Sequence, residues 1–97
     1  MVERVQDGFD AIEYPIDFSF KAVCEKLNEL SSDQLQQIVQ QAIRQELGEA
    51  AVKGASCKES STGRYVSVTV LARLENRGQL ESVYSVLSGL DVVKMTL

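Results

Sequence analysis

The sequence predicts an α+β fold: a ferredoxin-like split βαβ sandwich of order βαββαβ, with a four-stranded antiparallel sheet and two helices on one face. Three observations lead there. Residues 66–74 alternate, with Val66, Val68, Val70, Ala72 and Leu74 apolar and Leu71 the one apolar residue among Ser67, Thr69 and Arg73. Period two with β-branched residues marks a strand with one buried and one open face. Two helical stretches each open on a capping residue, carry glutamine three positions later and stop at a glycine. Each lies between two strand-like stretches, and two such βαβ halves with right-handed crossovers interleave into one sheet.

Taken in order, residues 1–13 contain Gly8 and four acidic residues without sustained periodicity. They are expected to form a mobile acidic tail ahead of one domain spanning residues 14–97. Pro15 has no N–H for a ladder and suits the start of a strand. In the first strand Ile16, Phe18, Phe20 and Ala22 face inward and Asp17, Ser19 and Lys21 outward. Residues 23–29 fit a strand extension, a loop or a helical turn equally well. Ser31 is the first N-cap, with Gln34 as its box partner and Leu30 and Leu35 as a staple. The apolar stripe of that helix is Leu35, Ile38, Val39, Ala42, Ile43 and Leu47, opposite a glutamine-rich face, and Gly48 fits a left-handed stop.

Residues 50–58 form a weaker strand, in which Gly54 suggests a bulge and the lack of large apolar side chains suggests an edge. The turn at Ser60–Gly63 makes a hairpin with the strand that follows. Asn76 caps the second helix with Gln79 as partner; Leu80, Val83, Tyr84 and Leu87 form its buried stripe, and Gly89 ends it. Residues 92–97 close the sheet, with Val93, Met95 and Leu97 expected on one face and Lys94 and Thr96 on the other. The first and third strands are the most apolar and are expected at the centre, the second and fourth at the edges.

Ninety-seven residues with 44% apolar and 25% charged content suffice for one core. No apolar run is long enough to cross a bilayer, and the acidic start lacks the apolar stretch of a secretory signal. Cys24 and Cys57 are too few for a disulfide framework, so a cytoplasmic protein with reduced thiols is expected. Charge is uneven: residues 1–33 hold eight acidic and three basic residues, net −5, and residues 34–97 hold six and seven, net +1. The overall −4 disfavours nucleic acid, whose binding needs a positive surface. The chain has no histidine, which removes the commonest general base and metal ligand.

Three chemistries common on this topology find no support. A metal-transfer loop needs paired thiolates, and the two cysteines stand thirty-three residues apart. Base stacking needs aromatics on the central strands, and the open face offers Tyr65 alone. Phosphate hydrolysis needs a glycine-rich cradle after the first strand, where residues 23–28 have no glycine and carry Glu25. No catalytic residue, cofactor or metal is therefore expected. What remains is the open face, which alternation furnishes with Ser19, Lys21, Ser67, Thr69, Leu71, Arg73, Lys94 and Thr96. Three cations among hydroxyls make it a candidate surface for an anion or a peptide, although antiparallel sheets also tolerate a plain solvated face.

Residues 13–15 with the aromatic strand and Lys21, the hairpin at residues 58–68, the helix at residues 79–87 and the ending at residues 92–97 resemble one family. It is the YbeD-like group of small uncharacterised bacterial proteins, and the resemblance spans about residues 13–97. It implies a ferredoxin-like fold similar to ACT regulatory domains, and a non-catalytic module binding a small metabolite or a partner protein. A pure protein-interaction module working through the open face or an edge strand is the alternative. Three departures stand out: Glu59 replaces a usual proline, the stretch from Lys21 to the first helix is longer, and Cys24 stands where glycine is expected. The last bears on an ACT-like ligand site, which uses the loop after the first strand. The short edges, one of them guarded by Lys53, Gly54 and Lys58, imply a monomer or a weak dimer.

Overall fold

The computed structural model describes residues 12–26 and 30–97. The elements run β1 (Ile16–Glu25), α1 (Ser32–Leu47), β2 (Val52–Glu59), β3 (Tyr65–Leu74), α2 (Arg77–Ser88) and β4 (Val93–Thr96), with a 3₁₀ turn at Glu49–Ala51 between α1 and β2. One four-stranded antiparallel sheet has the order β2-β3-β1-β4, so the apolar strands are central and the weaker ones are edges. The fold is the expected α+β sandwich.

The centre is the ladder between β1 and β3, which runs through ten partners from Ile16↔Leu74 to Glu25↔Tyr65. Register puts Phe20 opposite Val70, Ala22 opposite Val68 and Cys24 opposite Val66. All six are buried against the helices. From α1 the core receives Leu35, Val39 and Ile43, and from α2 Leu80, Val83 and Leu87. Residues 23–25, ambiguous in sequence, continue β1; the reason is that Tyr65, Val66 and Ser67 offer them partners. Residues 27–29 of that ambiguous stretch lie outside the described residues, as do residues 1–11 of the expected tail. Ile12 and Tyr14 pack against the core cluster.

The helix ends follow their sequence signals closely. Ser31 Oγ accepts from Gln34 N at 3.1 Å, and Gln34 Oε1 accepts from Ser31 N at 2.8 Å, a complete capping box. At the second helix Asn76 Oδ1 accepts from Gln79 N at 3.0 Å, but Gln79 Oε1 reaches one residue further back, to Glu75 N at 2.7 Å. Gly48 ends α1 with φ 101 and ψ 156, a backbone open to glycine but not the left-handed helical stop expected. Ile38, assigned to the buried stripe, is only half-buried.

Two irregularities shape the edges. In β2 the register shifts between Val52 and Gly54, so Lys53 bulges, as Gly54 suggested. In β4 it shifts opposite Val23 and Cys24, and this overturns the expected facing of that strand. Val93 lies opposite Cys24 and Thr96 opposite Ala22, both on the helix side, whereas Met95 lies opposite Val23 on the open side. Simple alternation cannot survive an extra residue in the strand.

Val68 has no exposed surface and sits between Ala22 and Cys57. Val68→Asp should therefore cost ~3 kcal/mol or more by burying an unpaired carboxylate. Thr69→Asp, on the open side between Lys21 and Ser56, should cost much less. Urea melts of the two variants check this; equal midpoints would reverse the assigned facing.

Candidate functional site

The open face takes its residues from all four strands. β1 presents Asp17, Ser19, Lys21, Val23 and Glu25, opposite Arg73, Leu71, Thr69, Ser67 and Tyr65 of β3. β2 adds Gly54 beside Leu71, Ser56 beside Thr69 and Lys58 beside Ser67. Of the eight residues that alternation assigns, Ser19, Lys21, Ser67, Thr69, Leu71 and Arg73 share this face. Lys94 reaches it through its ion pair with Glu25, 3.1 Å away. Thr96 does not belong: the β4 bulge turns it to the helix side, where it lines a cavity with Tyr84.

The charges differ from the expected patch of three cations. Arg73 Nη1 lies 3.4 Å from Asp17 Oδ1, directly across the ladder. Glu25 receives Lys94 on one carboxylate oxygen and Arg64, 3.9 Å away, on the other. Among the described residues of this face Lys21 and Lys58 have no carboxylate partner, so these two cations are left for an incoming group. Sequence reasoning missed Asp17 and Glu25 as neutralising partners, and it missed the apolar share of the face. Val23 and Met95 are cross-strand neighbours, and the main chain of Leu97 joins Lys21 through a 2.9 Å bond from its N–H. Met95 is 54% and Leu97 63% exposed. Extending the alternation of β1 past Ala22 finds Val23 and Glu25; no local signal finds Met95, because its facing depends on the bulge.

One end of the sheet carries a second polar cluster. Glu59, at the end of β2, accepts from the Lys26 ammonium and from Ser32 Oγ at 2.8 Å. These hydrogen bonds, from Lys26 and then Ser32, together with the nearby Lys26 charge, hold the Glu59 carboxyl below its ordinary range. The cluster ties β1 and β2 to the first turn of α1. Arg64 stacks 5.6 Å from the ring centre of Tyr65 beside it. With its cations and carboxylates matched, this end is a clasp between elements.

Among the described residues, cavities open to solvent lie on the helix side. One of about 450 Å³ is bounded by Glu81, Tyr84, Thr96 and Leu97. Another, of about 330 Å³, is lined by Leu30, Asp33, Gln34, Gln37 and Ile38 at the start of α1. Cys24 is fully buried, and burial pushes its thiol up from the ordinary value. Among the described residues no cluster of metal-ligating side chains occurs, and no helix is long and apolar enough to cross a membrane.

The family model described as Protein of unknown function (DUF493) matches residues 10–97. A UPF0250 protein of Klebsiella pneumoniae strain 342 is 33% identical over 88 residues, covering 91% of this chain and 93% of that protein. The UPF0250 protein YbeD of Salmonella arizonae is 32% identical with the same coverage. The solution structure of protein HP0495 from H. pylori superposes with a TM-score of 0.67 at 17% identity, covering 89% of this chain and 85% of that one. That likeness extends to the fold.

Two outcomes follow from the buried and clasped groups. Iodoacetamide should modify half-buried Cys57 in the folded protein and reach Cys24 only on unfolding, as peptide mass mapping will show. Replacing both donors, Lys26→Met with Ser32→Ala, should return the Glu59 titration midpoint to the ordinary carboxylate range in carboxyl-carbon NMR. A lowered folded value stabilises above the unfolded carboxylate range and is lost as pH falls through the folded one. The wild type should therefore lose more stability than the double variant across that acid window.

Proposed function

The chain belongs to the family described as Protein of unknown function (DUF493), and from that premise we propose that it is a non-catalytic, ACT-like regulatory module. In this proposal its open sheet face receives a partner protein in the cytoplasm, and the chain itself is a monomer or weak dimer. The observation that carries the choice of a protein partner is the make-up of that face. Leu71, Val23, Met95 and Leu97 interrupt the hydroxyls of Ser19, Ser67 and Thr69, while two of the three expected cations are neutralised by Asp17 and Glu25. A flat surface of mixed apolar and hydroxyl groups suits protein contact, in which apolar anchors supply most of the energy. Lys21 supplies one point of charge specificity for a carboxylate on the partner.

A small-metabolite reading has less support, because the two cavities described above lie on the helix side, and of the predicted residues they touch only Thr96, which is not on the open face. The test combines capture with a face variant. Wild-type protein fixed by a tag should retain one specific protein from the lysate of the source bacterium, and that protein should retain the chain in turn. Lys21→Glu with Leu71→Lys should weaken the pair at least tenfold with an unchanged melting curve. A pair indifferent to this variant rules out the open face. A melting temperature raised by any member of a panel of amino acids and small organic acids shifts the reading to a metabolite.

A further inference from the structure

β4 is the outermost strand on its side of the sheet. Its inner edge is paired with β1, and the bonds that do this fix where the outer edge points. Leu97 N donates to Lys21 O at 2.9 Å, and Met95 is the partner of Val23. In an antiparallel ladder residues alternate between bonding one neighbour and the other. The N–H and C=O of Thr96, between these two, are thereby directed away from β1, toward the outer edge. Thr96 also projects its side chain to the helix side, as the partner of buried Ala22. There it borders the cavity of about 450 Å³ whose other walls are Tyr84, Leu97 and Glu81.

These two facts are coupled by strand geometry. A chain laid antiparallel along this edge exchanges both main-chain bonds with Thr96 through one residue. That residue projects its side chain to the same side of the sheet as Thr96, which is the cavity side. Its two neighbours project to the other side, next to exposed Met95 and Leu97. The Tyr84 ring packs edge-on against Phe20 at 5.3 Å, and its hydroxyl donates to Leu97 O at 3.1 Å, so one wall is fixed and apolar. Glu81 is engaged by Arg77 at 3.0 Å and makes no demand for a basic group.

We propose that the outer edge of β4 docks an extended peptide segment of another protein, which adds as a further strand and seats one apolar side chain in the Tyr84 cavity. This surface is distinct from the open face of the preceding proposal. Strand addition of this kind draws affinity from main-chain bonds and specificity from a pocket beside alternate residues. The opposite edge is less suited, because β2 carries the Lys53 bulge and Lys58. A second copy is also less suited. Symmetric pairing about Thr96 brings only another Thr96 to the cavity, and a strand of four residues offers little of the ~800 Å² per partner that a stable dimer needs.

The test uses ¹⁵N-labelled protein and a blocked heptapeptide with lysine at both ends, threonine at the strand positions and one central leucine. Amide shifts should concentrate at residues 93–97 and around Tyr84, and the Thr96 N–H should gain protection from exchange. Serine in place of the central leucine should weaken binding at least tenfold. Thr96→Pro, which removes an outward N–H and leaves the β1 bonds intact, should do the same. Shifts confined to the open face, no binding at millimolar peptide, or equal affinity for the leucine and serine peptides would overturn the proposal. So would a Thr96 N–H already protected without peptide: protection rising with protein concentration identifies a second copy at the edge, and protection independent of it identifies the chain's own residues.

Discussion

The ladder between β1 and β3 is the constraint from which the rest of the molecule follows. Ten consecutive partners lock one register, and because side chains alternate, that register sends one complete set of apolar residues to the helices. A slip of one residue would bury Asp17, Ser19 and Lys21 in place of Phe18, Phe20 and Ala22, which no helix packing could offset. The same lock fixes the opposite face. Asp17 meets Arg73 and Glu25 comes beside Tyr65 and Arg64 only in this register. Core and candidate surface are thus two sides of one choice.

The edges depart from this regularity, and their departures decide what the surface offers. The bulge at Lys53 disturbs the β2 edge, which lowers its value as a template for pairing. The shift in β4 instead separates Met95 and Thr96 from the faces that alternation gives them. One apolar residue reaches the open face, and one hydroxyl reaches the helix side beside Tyr84. A single extra residue in a short strand therefore creates both the apolar border of the open face and the polar wall of the cavity.

Electrostatics here serve mainly to join elements. Glu59 holds Lys26 and Ser32, bringing the end of β2 to the residue just past β1 and the first turn of α1. Glu25 holds Lys94 and Arg64, bringing β4 and the hairpin to the same end. Each pair has one well-exposed partner, so each contributes little to stability, but together they consume most of the charge that the sequence displays there. Lys21 in the middle of the sheet and Lys58 on β2 stand apart, and among the described residues their charges are left for an outside group.

By itself the sequence determined the elements, the order βαββαβ, the central position of β1 and β3 and the identity of most of the buried residues. Period-two and helical spacing are local properties, and the capping signals at Ser31 and Asn76 act within one turn, so no tertiary information is needed to read them. Six of the eight residues assigned to the open face are legible for the same reason: they sit in strands whose alternation is unbroken. Lys94 joins them only through Glu25, and Thr96 leaves them. The extension of β1 through Glu25, the pairing of Arg73 and Lys94 with carboxylates, and the facing of β4 were decided by tertiary structure alone. Each depends on which strand lies alongside and at what register, and a bulge changes facing without leaving any mark in the residues that it moves.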